Sequence, residues 1–160
     1  HRRGVTIPDP LPPMGVMIEV PGAALAADAF AQASDFFAIG SNDLTMYTLA
    51  IDRGNEHVAH LFDPLHPGVL RLIQFTATAA LRARIPVSIC GEMAGDPRYS
   101  ALLLGLGIRD LSMTPSSIPR VKQRIREMDM DAANRRAGVI MDQVDSGRIA
   151  TLLDDFNALA

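Results

Sequence analysis

Cysteine is nearly absent from this 160-residue chain, since Cys90 is the only one. A single cysteine cannot form a disulfide within the chain, which excludes a disulfide-stabilised secreted scaffold and favours a reducing compartment. Long apolar runs are also missing, because none approaches the roughly 20 residues of a membrane-spanning helix. The N-terminus has no signal-peptide core. We therefore expect a cytoplasmic protein that does not insert into membranes.

The sequence has no excess of positive charge. Lysine and arginine number 15 against 18 aspartates and glutamates, which gives a formal net charge of −3. A nucleic-acid-binding domain normally carries a basic excess, so we expect no nucleic-acid partner. The short basic stretch from Arg120 to Arg126 is interpreted as the solvated face of a helix. Hydrophobic residues make up 48% of the chain, enough for one buried core and too many for a disordered segment.

Apolar runs and helical patterns alternate along the chain. Residues 1–14 contain four prolines, which remove backbone donors and fix φ, and this predicts an irregular connector. Four short apolar runs predict buried strands: Gly15–Val20, Phe36–Gly40, Val87–Cys90 and Leu111–Met113. Helices are predicted between and after them: Ala23–Ala33, Pro67–Arg84, Arg98–Leu106, a basic helix opened by Pro119, Met130–Val144 and Arg148–Leu159.

This alternation of strand and helix predicts an α/β fold with a parallel sheet. Four such units fit half of a (β/α)8 barrel or, equally well, a small doubly wound sheet that is complete by itself. We expect residues 15–128 to form this unit and residues 129–160 to add a C-terminal helical extension. In the extension, Asp131 is the predicted N-cap of the first helix, and Ser146-Gly147 the break before the second. The segment after the second strand is predicted to be a polar loop.

Polar side chains cluster where the predicted strands end. Glu19, Asn42, Asp43 and Cys90 lie near or just after the ends of the first three runs, and Thr114–Ser117 follow the fourth. In parallel α/β proteins this end of the sheet is where ligands bind. The two carboxylates either bind a divalent cation such as Mg²⁺ together with a substrate oxyanion, or they cap helices and pair with arginines.

Further residues leave alternatives open at this stage. Cys90 is either an inert core residue or, with a pKa high enough to keep its proton, a general acid. Arg53, in the loop beyond the second strand, is either part of a surface ion pair or an anion clamp. Three histidines lack metal-ligand spacing and are interpreted as solvated or structural: His57, His60 and His66.

Three segments of the sequence resemble a known family. GVMIEVP at residues 15–21, DFFAIGSNDLT at 35–45 and CGEMAGDP at 90–97 resemble, in this order, three motifs of the phosphoenolpyruvate-utilising enzymes. Within that family, YTLAIDRGN at 47–55 and HPGVL at 66–70 are similar to enzyme I, the phosphoenolpyruvate-protein phosphotransferase of the bacterial sugar phosphotransferase system.

The resemblance implies a fold and a reaction. The fold is the C-terminal half, strands five to eight, of a (β/α)8 TIM barrel with extra C-terminal helices. The family transfers the phosphoryl group of phosphoenolpyruvate to a histidine on a separate mobile domain and then to the phosphocarrier protein HPr, releasing pyruvate. By this resemblance, Glu19 and Asp43 are Mg²⁺ ligands. Asn42, Asp43 and Arg53 contact phosphoenolpyruvate, and Cys90 donates a proton to its methylene carbon.

The resemblance also predicts what the chain lacks. The phosphate-binding arginines of the first barrel half are absent, and none of the four histidines stands in the phospho-acceptor motif. Because the sequence also begins without methionine, we expect a piece of a longer enzyme that is inactive on its own. The family is dimeric through this region, so a homodimer is expected. Ala38, Ser41 and Met46 replace the usual serine, threonine and glutamine, and Met46 alters one polar contact near the site.

Two alternatives to a phosphotransferase stay open. The first is a fragment of pyruvate phosphate dikinase or phosphoenolpyruvate synthase, relatives that differ after the NDLT motif and transfer phosphate to a nucleotide. The second is a non-catalytic module that binds phosphoenolpyruvate as a sensor or serves as an assembly platform.

Overall fold

A computed structural model describes residues 3–4 and 6–158. The predictions at His1, Arg2 and Val5 in the connector, and the predicted end of the last helix at Leu159, lie outside the described residues. A 3-10 helix lies at Ala59–Leu61. The strands are β1 (Gly15–Ile18), β2 (Phe36–Gly40), β3 (Val87–Cys90) and β4 (Asp110–Ser112). The α-helices are α1 (Pro21–Leu25), α2 (Ala27–Phe30), α3 (Ser41–Leu49), α4 (Pro67–Ala83), α5 (Glu92–Gly95), α6 (Pro97–Gly105), α7 (Ile118–Glu127), α8 (Met130–Met141) and α9 (Ser146–Ala158).

The four strands form one parallel sheet in the order β1-β2-β3-β4, which confirms the predicted α/β class. The register pairs Ile18 with Ile39 and Ile39 with Ile89. Because the strand order follows the chain order and βα crossovers are right-handed, the connecting helices lie on one face of the sheet. A doubly wound sheet would need a reversal of the strand order, so that alternative is wrong for the described chain.

The two faces of the sheet differ in burial. Successive side chains of a strand point to opposite faces. Four of those that point toward the helices are completely buried: Ile18, Phe37, Ile39 and Ile89. Alternate side chains point the other way, where Met17 is 48% exposed and Phe36 is 37% exposed. We call this second, partly exposed surface the open face.

Helix α4 shows how the sequence fixes the helical layer. Its N-cap is His66, whose Nδ1 accepts a hydrogen bond from the backbone N–H of Gly68 at 3.1 Å, which confirms the structural interpretation of this histidine. Pro67 occupies the first turn, where its fixed φ suits a helix. Arg84 ends the helix in the left-handed conformation. The buried stripe recurs at helical spacing: Val69, Leu70, Ile73, Ala77 and Ala80.

Two helix predictions in the first half are wrong. The expected polar loop after β2 is helix α3, which has no apolar stripe in its sequence and is held by the burial of Leu44 and Thr45. The single helix predicted over Ala23–Ala33 is two short helices, because the backbone departs from helical values at Ala26, with φ −93° and ψ 11°. Periodicity could not reveal either feature, since it reports apolar spacing and not local dihedral angles.

Two cap predictions in the C-terminal segment are also wrong. Asp129, and not Asp131, caps α8, because its Oδ1 accepts a hydrogen bond from the N–H of Ala132 at 2.8 Å. Asp131 lies inside the first turn, where a negative charge still favours the helix dipole. Ser146 is the first residue of α9 and not part of the break, which lies at residues 142–145.

Helices α8 and α9 pack against α6. Gly105 in α6 gives α8 a close approach, since a Cβ there would stand 2.6 Å from the carbonyl oxygen of Ala133 and 2.6 Å from Cβ of Ala137. Arg98 in α6 donates two hydrogen bonds to the carboxylate of Asp154 in α9, at 2.7 and 2.9 Å. None of the described helices is long and apolar enough to cross a lipid bilayer.

The helix contact at Gly105 predicts a measurable stability difference. Gly105→Ala should lower the free energy of unfolding by about 1–3 kcal/mol, because α8 must move away from the added methyl group. Gly138→Ala, inside α8, is the matched control: a Cβ there meets nothing within 4 Å, so we expect stabilisation by about 0.4–1 kcal/mol. Urea unfolding measures both. Equal effects of the two substitutions would contradict close packing of α6 on α8.

Candidate active site at the strand ends

Two predicted site residues lie in one row at the carboxyl-terminal edge of the sheet. Gly40, the last residue of β2, pairs with Cys90, the last residue of β3. Glu19 directly follows β1 and lies beside Gly40, because a Cβ at Gly40 would stand 3.0 Å from Cβ of Glu19. Neighbouring strands are about 4.8 Å apart. Asp43 lies in the first turn of α3, which begins where β2 ends.

Two glycines let these side chains approach one another. A Cβ at Gly40 would stand 2.7 Å from Oε2 of Glu19 and 3.0 Å from its Cβ. Any residue larger than glycine at position 40 would therefore clash with the Glu19 side chain. Gly91 has a φ of +95°, a left-handed value that favours glycine, and a Cβ there would stand 2.6 Å from Oγ of Ser41. Ser41 donates a hydrogen bond to the carbonyl oxygen of Cys90 at 2.7 Å, which ties α3 to the end of β3.

The thiol of Cys90 lies in a partly buried, negatively charged environment. Its Sγ donates a weak hydrogen bond to the carbonyl oxygen of Ile39 at 3.5 Å. Burial raises the pKa of Cys90, the nearby Glu19 and Asp43 carboxylates raise it further, and a backbone hydrogen bond at Cys90 offsets part of this effect. Each cause except the backbone bond disfavours the thiolate, so the thiol keeps its proton at neutral pH.

Glu19→Gln should lower the pKa of Cys90, since it removes a negative charge that opposes the thiolate. Alkylation by iodoacetamide measures this directly, because Cys90 is the only cysteine and only its thiolate reacts. At a fixed alkaline pH we expect alkylation to be at least about twofold faster than in the unchanged chain. Glu56→Gln, a change at an exposed loop residue, is the control and should leave the rate unchanged. An unchanged rate in Glu19→Gln would place its carboxylate away from the thiol.

The two carboxylates fit one kind of metal site. Among the described residues, neither Glu19 nor Asp43 takes part in an ion pair, and no group of three or more His, Cys, Asp and Glu side chains is arranged to hold a metal ion. Mg²⁺ needs no such group, because one or two carboxylates, waters and a substrate phosphate complete its octahedral shell. The donor set therefore fits Mg²⁺ bound together with an oxyanion.

Arg53 is joined to this edge through Glu92. Its Nη1 donates a hydrogen bond to Oε1 of Glu92 at 2.9 Å, and its guanidinium stacks on the ring of Phe62 with Cζ 4.8 Å from the ring centroid. The backbone N–H of Glu92 donates a long hydrogen bond to Oδ1 of Asn42 at 3.4 Å. The surface ion pair considered from the sequence is thus observed, and it lies next to the other predicted site residues.

An open cleft of about 810 Å³ lies at this end of the sheet. Of the predicted site residues, Asn42 and Cys90 line it, whereas Glu19, Asp43 and Arg53 do not. Sequence reasoning gave no role to several of its other polar lining residues: Glu92, Asp96, Tyr99, Ser112 and Arg120. Arg120 is exposed, as expected for the solvated face of a helix, and it also lines the cleft from the start of α7, just after β4.

Comparison with known sequences identifies the family. Residues 3–130 match the family described as PEP-utilising enzyme, PEP-binding domain. The chain belongs to this family. The resemblance stated from the motifs is confirmed, since the match includes all three of them.

Curated relatives agree with the family match. The chain is 52% identical over 136 residues to the phosphoenolpyruvate-protein phosphotransferase of Cupriavidus necator, which covers 85% of this chain and 22% of the relative. It is 43% identical over 143 residues to the protein of that name from Haemophilus influenzae, covering 89% of the chain and 25% of the relative. It is 51% identical over 125 residues to the multiphosphoryl transfer protein of Xanthomonas campestris, covering 78% of the chain and 15% of the relative. The chain thus spans a quarter or less of the length of these relatives.

Proposed function

We propose that this chain provides half of the active site of a phosphoenolpyruvate-protein phosphotransferase. The enzyme would move the phosphoryl group of phosphoenolpyruvate to one of its own histidines and then to the phosphocarrier protein HPr, releasing pyruvate. The observation that carries the proposal is the meeting of Glu19, Asp43 and Cys90 at one edge of the sheet, where both carboxylates raise the pKa of the thiol. The names of the relatives favour this reaction over that of a dikinase or synthase.

Glu19 and Asp43 supply the oxygen ligands for Mg²⁺ in this proposal. When bound, Mg²⁺ offsets the charge on the oxygens of the transferring phosphoryl group. Asn42 and the backbone N–H groups at the start of α3 bind the substrate anion, which the positive end of the helix dipole favours. Arg53 offers a guanidinium whose planar N–H groups match a carboxylate or phosphate.

Cys90 completes the reaction as a proton donor. Loss of the phosphoryl group leaves the enolate of pyruvate, whose methylene carbon must take up a proton. The S–H bond of Cys90 breaks as the new C–H bond forms, and the resulting thiolate recovers a proton from solvent. A pKa raised by burial and by the two carboxylates supports this role, because an acid must hold its proton at the working pH.

The proposal extends to the architecture. Residues 15–128 would form strands five to eight of a (β/α)8 barrel, with residues 1–14 as a connector and residues 129–160 as a helical extension. The unreversed strand order and the exposed Met17 and Phe36 on the open face support it, since the other half of a barrel would cover that face. A cytoplasmic location suits a Cys90 that must stay reduced. Exposed apolar side chains on the helical face, such as Leu25 and Phe75, support a homodimer.

The proposal is tested on the full-length protein that contains this chain. Incubation with ³²P-labelled phosphoenolpyruvate and Mg²⁺ should label a histidine and release pyruvate, and added HPr should take up the label. The 160-residue chain alone should show neither product. Transfer of the label from the histidine to a nucleotide such as AMP, and not to HPr, would instead indicate a synthase or dikinase. Binding of phosphoenolpyruvate without release of pyruvate would indicate a non-catalytic module.

A further inference from the structure

Glu92 stands at the cleft without a role in the proposed reaction. It follows Cys90 and Gly91 as the first residue of α5 and lines the cleft. Its side chain is 70% exposed, yet it holds Arg53, 39 positions earlier in the chain, at 2.9 Å. We infer that Glu92 is a positioning residue that fixes Arg53 beside the cleft for binding phosphoenolpyruvate, an inference that rests on the proposed function.

Arg53 is held in a way that leaves part of its guanidinium for a second anion. The contact with Glu92 uses Nη1, and the flat face rests on the ring of Phe62. A guanidinium has five N–H donors in a fixed plane, so Nε and Nη2 can meet an oxyanion while Nη1 stays on Glu92. The contacts with Glu92 and Phe62 already restrict the rotamers of Arg53 before substrate binds. Binding therefore costs less side-chain entropy than it would with a freely moving arginine.

Glu92 acts on two predicted substrate contacts through separate groups. Its side chain binds Arg53, whereas its backbone N–H donates to Oδ1 of Asn42 at 3.4 Å. A side-chain substitution therefore removes the first contact and leaves the second. This separation makes the contribution of the side chain measurable by itself.

The charge of Glu92 also has an opposite effect that must be weighed. A carboxylate at the cleft repels an anionic substrate, and its removal alone would tighten binding. The side chain is largely exposed and already paired with Arg53, so solvent and its partner screen this repulsion. Loss of the positioned arginine is the larger effect, because a misplaced guanidinium loses its charge-assisted hydrogen bonds to the substrate.

The test compares variants of the full-length protein in phosphoenolpyruvate-dependent phosphorylation of HPr. Glu92→Ala should raise KM for phosphoenolpyruvate about tenfold and lower kcat less than about threefold, since it removes a binding aid and not a reacting group. Glu92→Gln should stay within about threefold of the unchanged KM, because its amide oxygen still accepts from Arg53. Asp154→Ala is the matched control, since it breaks another exposed arginine–carboxylate pair, with Arg98, and should change neither constant.

A double-mutant cycle separates positioning from a general effect on the fold. Glu92→Ala added to Arg53→Ala should change KM by less than about twofold, because the residue to be positioned is already gone. An unchanged or lowered KM in Glu92→Ala, or independent effects that multiply in the double variant, would overturn the inference. If the unchanged protein releases no pyruvate from phosphoenolpyruvate, the proposed function itself fails, and the two failures are thus distinguished.

Discussion

Asp43→Asn should reduce Mg²⁺-dependent release of pyruvate from phosphoenolpyruvate by about 10³-fold or more, because several kcal/mol of charge stabilisation depend on the metal. The substitution keeps the size of the side chain and removes the charge that a hard cation requires. Glu19→Gln should have an effect of similar size, since the two carboxylates lie at adjacent strand ends and share the proposed ion. Steady-state assays of the full-length protein at saturating phosphoenolpyruvate measure both.

Asp131→Asn is a matched control for this prediction. Asp131 lies in the first turn of α8, as Asp43 lies in the first turn of α3, so both substitutions remove the same favourable interaction with a helix dipole, about 0.3–1 kcal/mol. Only Asp43 is near the strand ends. Similar rates in Asp43→Asn and the unchanged protein would exclude this carboxylate as a metal ligand, whatever the effect on stability.

Cys90→Ser should slow pyruvate formation by about 10²–10⁴-fold, the usual contribution of a positioned general acid. Serine preserves the shape of the side chain and donates a proton far less readily than a thiol, so the loss reports acidity and not packing. The unchanged enzyme should lose this step only at alkaline pH, because burial, Glu19 and Asp43 raise the pKa of Cys90. The pH profile of pyruvate formation checks the position of that decline.

Cys90→Ala provides the second arm of this test. If the thiol is a proton donor, alanine and serine should slow pyruvate formation to a similar extent while labelling of the histidine persists. Normal turnover in Cys90→Ser would reduce the thiol to a packing residue. The raised pKa also determines how the contribution of Cys90 to the free energy of unfolding depends on pH. This contribution is complete below the pKa that the thiol has in the unfolded chain, and it is lost as the pH rises through the pKa in the folded protein.

The sheet could be predicted from the sequence to a large extent. The bounds of β2 and β3 were predicted to the residue, because Phe36–Gly40 and Val87–Cys90 are short apolar runs with clear polar or proline-containing flanks. β1 ends two residues earlier than predicted, since Glu19 and Val20 leave the ladder before Pro21 begins α1. Placement of polar residues at the strand ends followed from the parallel topology.

The remaining features depend on contacts that sequence spacing does not encode. Helix α3 carries Asn42 and Asp43 in its first turn, and these residues favour turns and caps when they are read alone. The pairing of Arg53 with Glu92 joins positions 39 residues apart, and no local pattern predicts such a contact. The place of Arg120 at the cleft likewise depends on how α7 leaves β4.

The residues that face the helices and the residues that follow the strand ends occupy different places in the fold. This separation affects which parts of the sequence can change without loss of the fold. Ile18, Ile39 and Ile89 maintain the core on one side of the strands, whereas residues 113–117, which follow β4, are exposed or only partly buried. Exchanges in this segment, from which Met113, Thr114 and Ser117 line the cleft, can therefore alter what binds there while the core stays intact. To change what the cleft binds, residues 113–117 should be randomised first, and Ile18, Ile39 and Ile89 should be left unchanged.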